Sequence, residues 1–213
     1  MCIRDRPNTI HVCPEFFKTL EKSDLESGLG EVVKFNVMGG VETLEDLERS
    51  IDALLELDAE TVNRFVHNSL AFKKAIIEED EFDGGKRVLL NFAHTFGHAF
   101  EASSNYAIPH GSAVALGLVA ANAVSLERGL LDEVMASRIA ALVAAIEPPY
   151  DPALIIDCEV ISAIRKDKKQ VSEALSAVLL DSDLVLHVVH DMTEDEVVHA
   201  CNVARSFLTS VGK

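Results

Sequence analysis

Positive charge is scarce in this chain. Its 213 residues carry 19 Lys and Arg against 35 Asp and Glu, a formal net charge of −16. That argues against a nucleic-acid binder, because neutralising phosphates takes a basic stripe, and the one cationic cluster, Arg165-Lys166-Asp167-Lys168-Lys169, is short. Cysteine is also sparse. Cys2, Cys13, Cys158 and Cys201 lie far apart with no Cys-x-x-Cys pair, so neither a disulfide framework nor a thiolate zinc site is indicated, and a reducing cytoplasm fits best. No apolar run approaches the ~20 residues of a membrane span, and the start carries no charged-then-apolar signal. Internal repeats and low-complexity linkers are missing too. What is present is an ordinary apolar fraction, 48%, enough to build a sizeable core in one or two domains.

The pattern is predominantly helical. Thr43-Leu44-Glu45-Asp46-Leu47 opens a run with Ile51, Leu54, Leu55 and Leu57, and a second run carries Val62, Phe65, Val66, Leu70 and Phe72. The acidic stretch 78–85 ends it. Residues 89–103 and 110–126 read as two apolar helices joined by a short turn containing Asn105 and Pro109. Apolar residues occupy most of each circumference, which predicts burial. A further helix over 131–146 stops at Pro148-Pro149, and another is expected over 152–168. Val178-Leu179-Leu180 and Leu184-Val185-Leu186-His187-Val188-Val189 flank Asp181-Ser182-Asp183, a β-hairpin pattern. Thr193-Glu194-Asp195-Glu196 is a capping-box start for a last helix through Phe207. The expected fold class is mainly α with one small β-hairpin. Residues 1–6 carry no element pattern into Pro7 and resemble a translated assembly scar. The helical domain is therefore expected over 7–213, as the C-terminal part of a longer protein.

Histidine is unevenly spread: His94, His98 and His110 fall together in the most apolar part of the chain. His94 and His98 are four apart, one turn along a shared helical face, and His110 follows Pro109 at the expected start of the next helix. An antiparallel helix pair would bring it back beside them. Neutral imidazoles are the commonest zinc ligands, and a catalytic zinc takes three His or carboxylate ligands and leaves a position open. The alternative for the pair is two hydrogen-bonded core or surface histidines. Glu31, three before Lys34 on one helical face, is a candidate third ligand; alone the two read as an exposed ion pair. Arg87 and Asn91 precede His94 by seven and three positions, and Lys73 lies one helix earlier. A guanidinium grips a carboxylate or phosphate bidentately, an ammonium acts as a point charge, and an amide adds neutral donors. Together they are a candidate anion pocket, with plain surface solvation as the alternative. Gly97 and Gly111 mark close backbone approach, to a ligand or to another helix.

These pieces follow one order: Gly28-Leu29-Gly30-Glu31-Val32-Val33-Lys34, then Lys73 with Asp80-Glu81, then Arg87-Val88-Leu89-Leu90-Asn91-Phe92-Ala93-His94-Thr95-Phe96-Gly97-His98-Ala99-Phe100-Glu101, then His110-Gly111-Ser112-Ala113-Val114-Ala115-Leu116-Gly117, then Asp167-Lys168-Lys169. The series resembles the C-terminal, metal-binding domain of the 3-dehydroquinate synthase and sugar-phosphate cyclase family. The likeness runs from about Val12 to the hairpin, and the Leu-Asn-x-x-His-Thr-x-Gly-His-Ala block is its most specific part. The resemblance implies the helical C-terminal domain of the dehydroquinate synthase-like fold. It implies zinc, or another divalent ion such as cobalt, held by Glu31, His94 and His110, with His98 behind the metal or against substrate. Lys34, Lys73, Arg87, Asn91 and one of Lys168 or Lys169 would surround a small sugar phosphate. An N-terminal Rossmann-like domain would bind NAD across the active-site cleft. This chain has no Gly-x-Gly-x-x-Gly turn and no βαβ pattern, so that domain is expected to lie outside it. A cytoplasmic homodimer with no nucleic-acid or membrane partner completes the family expectation.

In the family's reaction, NAD transiently oxidises the C5 hydroxyl of 3-deoxy-arabino-heptulosonate 7-phosphate and phosphate is eliminated. The ketone is then reduced and the opened ring closes by aldol addition to 3-dehydroquinate, a step of the shikimate pathway. Three features depart from the family pattern. Ala93 stands where Gly is usual, Ser112 where an acidic residue is common, and Phe35-Asn36-Val37-Met38-Gly39-Gly40 is an unusual continuation after Lys34. None removes a candidate ligand. Two alternatives are another sugar-phosphate cyclase of the superfamily and a non-catalytic metal-binding helical module. Arg87, which the resemblance links to a substrate carboxylate, favours the synthase. The whole anion pocket argues against a module that only holds metal.

Overall fold

The computed structural model describes residues 9–80, 85–146, 150–166 and 174–212. The arm expected at 1–6, together with Glu81, Asp167, Lys168 and Lys169, lies outside the described residues. Eight α-helices appear among the described residues: α1 (Lys22–Met38), α2 (Val41–Leu55), α3 (Ala59–Glu79), α4 (His94–Ser103), α5 (His110–Glu127), α6 (Glu133–Ala145), α7 (Asp157–Lys166) and α8 (Glu194–Val211). One antiparallel hairpin, β1 (Leu175–Leu180) with β2 (Leu186–Met192), precedes α8. None of these helices is long and apolar enough to cross a membrane.

Helix α5 is the axle of the domain. It carries no Asp, Glu, Lys or Arg before Glu127, and every residue from Gly111 to Ser125 is buried. A helix apolar on all sides has to be surrounded. Around it pack α1, α4, α6, α8 and β1. Two of these neighbours come closer than side chains would allow. A Cβ on Gly111 would stand 1.8 Å from the Ser27 carbonyl oxygen of α1, and one on Gly117 would stand 2.2 Å from the Ala93 carbonyl oxygen at the start of α4. At both crossings backbone rests on backbone, which only glycine permits.

The hairpin lays its buried residues Leu175, Ala177, Val178, Leu179 and Leu180 toward the core, in a register that pairs Val178 with Val188 and Leu180 with Leu186. The Asp181 carboxylate accepts from the Asp183 and Val185 amides at 3.0 and 2.8 Å, which holds a turn with Leu184 at φ 59°. The mainly helical fold with one hairpin is the one read from the sequence. The capping box also forms: Thr193 Oγ1 accepts from the Glu196 amide at 3.2 Å, and Glu196 Oε2 accepts from the Thr193 amide at 2.7 Å. Loss of such a cap costs about 1 kcal/mol. Thr193→Ala should therefore lower the thermal midpoint by about 2–4 °C. An unchanged midpoint in a thermal melt would show that the cap contributes nothing here.

Several boundaries differ from the sequence reading. Residues 89–103 are not one helix: a 3₁₀ turn spans Lys86–Asn91, Phe92 is extended at ψ 132°, and Ala93 is left-handed at φ 65° before α4 begins. Phe92 and Ala93 are both buried, so burial of the corner overrides the helical periodicity. The helix expected from 152 starts at Asp157. Ahead of it, Asp151 caps a short turn at Pro152–Leu154, and the Arg205 guanidinium donates to the Ile155 carbonyl and the Asp157 carboxylate at 2.9 and 2.7 Å. Strand β2 runs on to Met192, because the buried Met192 side chain pairs back to Leu175.

Candidate metal centre and anion pocket

Five elements deliver the candidate residues to one place. Helix α1 carries Glu31 and Lys34, α3 carries Lys73, the 3₁₀ turn carries Arg87 and Asn91, α4 carries His94 and His98, and α5 begins with His110. All of them line one cavity of about 530 Å³, a size suited to a small molecule. Three cationic side chains and one carboxylate are among its lining residues, so its wall is locally positive in a chain of charge −16. Lys168 and Lys169 are outside the described residues. Asp80 accepts from the Gly85 and Arg87 amides at 2.7 and 3.0 Å, which ties the turn bearing Arg87 to the end of α3.

The histidines converge as the helix pair predicts. Ring centroids lie 5.1 Å apart for His94 and His98, 5.4 Å for His94 and His110, and 5.5 Å for His98 and His110. Each offers a nitrogen within 4.8 Å of the others'. Glu31 Oε1 lies 3.3 Å from His94 Nε2 and 3.4 Å from His110 Nε2. Zinc bonds of 2.0–2.1 Å put two corners of a tetrahedron about 3.3–3.4 Å apart, so Glu31 Oε1 already stands at ligand spacing from both histidine nitrogens.

The far sides of the two rings determine what their near sides offer. His94 Nδ1 faces the Phe92 carbonyl oxygen at 3.1 Å, and His110 Nδ1 faces the Glu101 carboxylate at 3.1 Å. Both partners only accept, so each Nδ1 carries a proton, and the Nε2 of each ring, facing Glu31 Oε1, is the nitrogen that takes either a metal ion or a second proton. Three lone-pair donors aimed at one another are held together by a shared cation or by extra protons. A divalent ion fits this donor set.

Glu31 divides its two oxygens. Oε1 faces the histidines, and Oε2 pairs at 2.8 Å with the ammonium of Lys34, a side chain only 2% exposed. Burial works against the charge on Glu31, but the hydrogen bond from His94 and the charge of Lys34 outweigh it and hold the carboxyl well below its ordinary range. Lys34 is pulled the other way. Burial depresses its pKa, Glu31 restores part of it, and the positive charge of Lys73 lowers it further. The Lys34 ammonium also sits 4.2 Å from the Phe35 ring centre.

Two partners at this site carry no role in the sequence reading. The Phe92 carbonyl reaches His94 because the chain turns at Phe92 and Ala93, which a continuous helix hides. Glu101 is seven residues after His94 and three after His98, on the same stripe of α4; that spacing was the available signal. Of the departures, Ala93 occupies a left-handed conformation in which glycine is the unstrained residue. Ser112 is buried and its Oγ accepts from the Tyr150 hydroxyl at 3.2 Å.

A protein-family model described as 3-dehydroquinate synthase C-terminal matches residues 28–170. Among curated relatives, 3-dehydroquinate synthase of Shewanella halifaxensis is 33% identical over 201 residues, covering 93% of this chain and 56% of the relative. That of Haemophilus ducreyi is 34% identical over 197 residues, covering 92% and 54%. The chain thus spans about half the length of the curated relatives it matches. Among solved structures, ValA, the 2-epi-5-epi-valiolone synthase from Streptomyces hygroscopicus with NAD+ and Zn2+ bound, superposes with a TM-score of 0.79 at 20% identity, covering 91% of this chain and 54% of that one. A 2-deoxy-scyllo-inosose synthase complexed with carbaglucose-6-phosphate, NAD+ and Co2+ superposes at 0.64 and 21% identity, covering 91% and 55%. These two likenesses concern the fold. With a family model that spans Glu31, the histidine block and His110 alike, this chain belongs to the 3-dehydroquinate synthase C-terminal family.

Proposed function

We propose that this chain is the metal- and substrate-binding half of an enzyme that converts 3-deoxy-arabino-heptulosonate 7-phosphate to 3-dehydroquinate and phosphate. The observation that carries the reading is the convergence of Glu31, His94 and His110 at ligand spacing beside Lys73, Arg87 and Asn91 in one cavity. Glu31, His94 and His110 would hold zinc. Bound there, zinc supplies Lewis acidity to the hydroxyl being oxidised, and NAD, held by a domain outside this chain, carries the hydride and is regenerated. Arg87 grips the substrate carboxylate with its planar fork. Asn91 and His98 hydrogen-bond its hydroxyls, and Lys73 with one of Lys168 or Lys169 neutralises its phosphate. Lys34 keeps Glu31 ionised from beneath. Fixing both anionic ends orients the substrate so that its own phosphate can accept the proton lost in elimination.

A second reading has specific support. Ala93 and Ser112 depart from the family pattern, and a solved structure of similar fold is a cyclase named for a different product. It assigns the site to a neighbouring sugar phosphate. One assay separates the readings: phosphate release by the full-length protein with NAD and zinc, from 3-deoxy-arabino-heptulosonate 7-phosphate and from sedoheptulose 7-phosphate. The expected result is release from the first that stops on chelation. Release from the second alone assigns the site to the other branch. Release from neither leaves a metal-binding module without catalysis.

A further inference from the structure

We infer that Glu101 is a positioning residue for His110, fixing the tautomer and the ring orientation through which His110 presents Nε2 to the metal centre; this rests on the metal-binding reading proposed above. The two imidazoles that face Glu31 are secured in different ways. His94 is 14% exposed, and its Nδ1 meets a backbone carbonyl, which no substitution removes. His110 is 44% exposed at the first turn of α5, and the contact at its Nδ1 is the Glu101 carboxylate at 3.1 Å.

An imidazole so open to solvent has room to rotate about its Cβ–Cγ bond. Two features select one orientation. Glu101 accepts only, so Nδ1 keeps its proton and Nε2 is the nitrogen left to take a metal ion. Its carboxylate is itself partly sheltered, 22% exposed, and projects from the rigid stripe of α4 that also bears His94 and His98. A carboxylate behind a ligating imidazole also makes the ring a better electron donor. Helix α4 would therefore supply the metal centre twice, directly through His94 and indirectly through Glu101. The distance between α4 and α5 becomes part of the ligand geometry.

The test is zinc affinity of the 213-residue chain, measured by competition with a chromophoric chelator, with Co2+ absorption as a second readout. Glu101→Ala is expected to weaken zinc by about 10–100-fold and to alter the Co2+ ligand-field bands. Glu101→Gln retains an acceptor for Nδ1–H and should recover much of the affinity. The far-UV spectra of both metal-free variants should match that of the parent. If the parent and His110→Ala differ as expected but Glu101→Ala binds zinc like the parent, this inference is overturned and the metal centre stands. If the parent itself takes up no zinc, the metal-binding reading falls, and this one with it. Equal losses in Glu101→Gln and Glu101→Ala would show that hydrogen-bond acceptance is not what Glu101 provides, which also overturns it.

Discussion

Gly111→Ala should melt several degrees below the parent and bind zinc more weakly, although alanine is the better helix former. The new methyl would lie 1.8 Å from the Ser27 carbonyl oxygen, 2.6 Å from its carbonyl carbon and 2.9 Å from its Oγ. Two of these are backbone atoms in α1 and have no rotamer through which to yield. The Gly111 amide also donates to Ser27 Oγ at 2.9 Å, so the start of α5 has to back away and stretch that bond. Overpacking of this kind costs typically 1–3 kcal/mol. For a domain of this size about 2 kcal/mol corresponds to roughly 4–8 °C. The displacement falls on the residue after His110, so the 3.4 Å spacing from Glu31 to His110 opens with it. Gly28→Ala is the control. Nothing lies within 4 Å of its Cβ position in α1, and the substitution should stabilise by about 0.5–1 kcal/mol. A Gly111→Ala protein that melts at or above the parent temperature would show that the crossing is looser than described.

His110→Ala should abolish uptake of about one zinc per chain, a stoichiometry that follows from a single three-ligand centre. Removing His110 leaves Glu31 and His94, two protein ligands where a stable site takes three. His98 is the natural rival for the missing position, since its nitrogen is within 4.8 Å of the other two histidines. The paired substitution decides between them. With Glu31, His94 and His110 as ligands, His98→Ala keeps its zinc; with three histidine ligands, His98→Ala loses zinc and Glu31→Gln keeps it. Zinc content after dialysis reads both directly. Uptake untouched by His110→Ala would remove His110 from the ligand set.

Sequence was most informative where one kind of physics acted alone. The all-round apolar character of residues 110–126 announced a central helix, and Thr193 with Glu196 announced where α8 starts. The meeting of His94 with His110 followed from two helices and a short connection. Other features depended on competition between local and tertiary preference. The hydrophobic pattern of 89–103 continues through Phe92 and Ala93, but burial of both residues and the Gly117 crossing impose a corner that periodicity does not register. The usual glycine of the family at position 93 was the one hint, and its physical meaning emerges only with φ 65° in view. Glu101 stood in the motif, but its contact with His110 needed the angle between α4 and α5, which no spacing along a single helix contains.

The corner at Ala93 governs more than where a helix starts. Arg87, Asn91, His94, His98 and Glu101 recur at intervals of four, three, four and three, the rhythm of one stripe on a straight helix. Drawn out straight, that stripe would extend about 21 Å, a flat track suited to a long, rod-like ligand. The two non-helical residues Phe92 and Ala93 bend the track between Asn91 and His94, so that Arg87 and His98 border the same hollow. Curvature, set by the backbone of two residues, is what lets a compact molecule touch Arg87 and His98 at once.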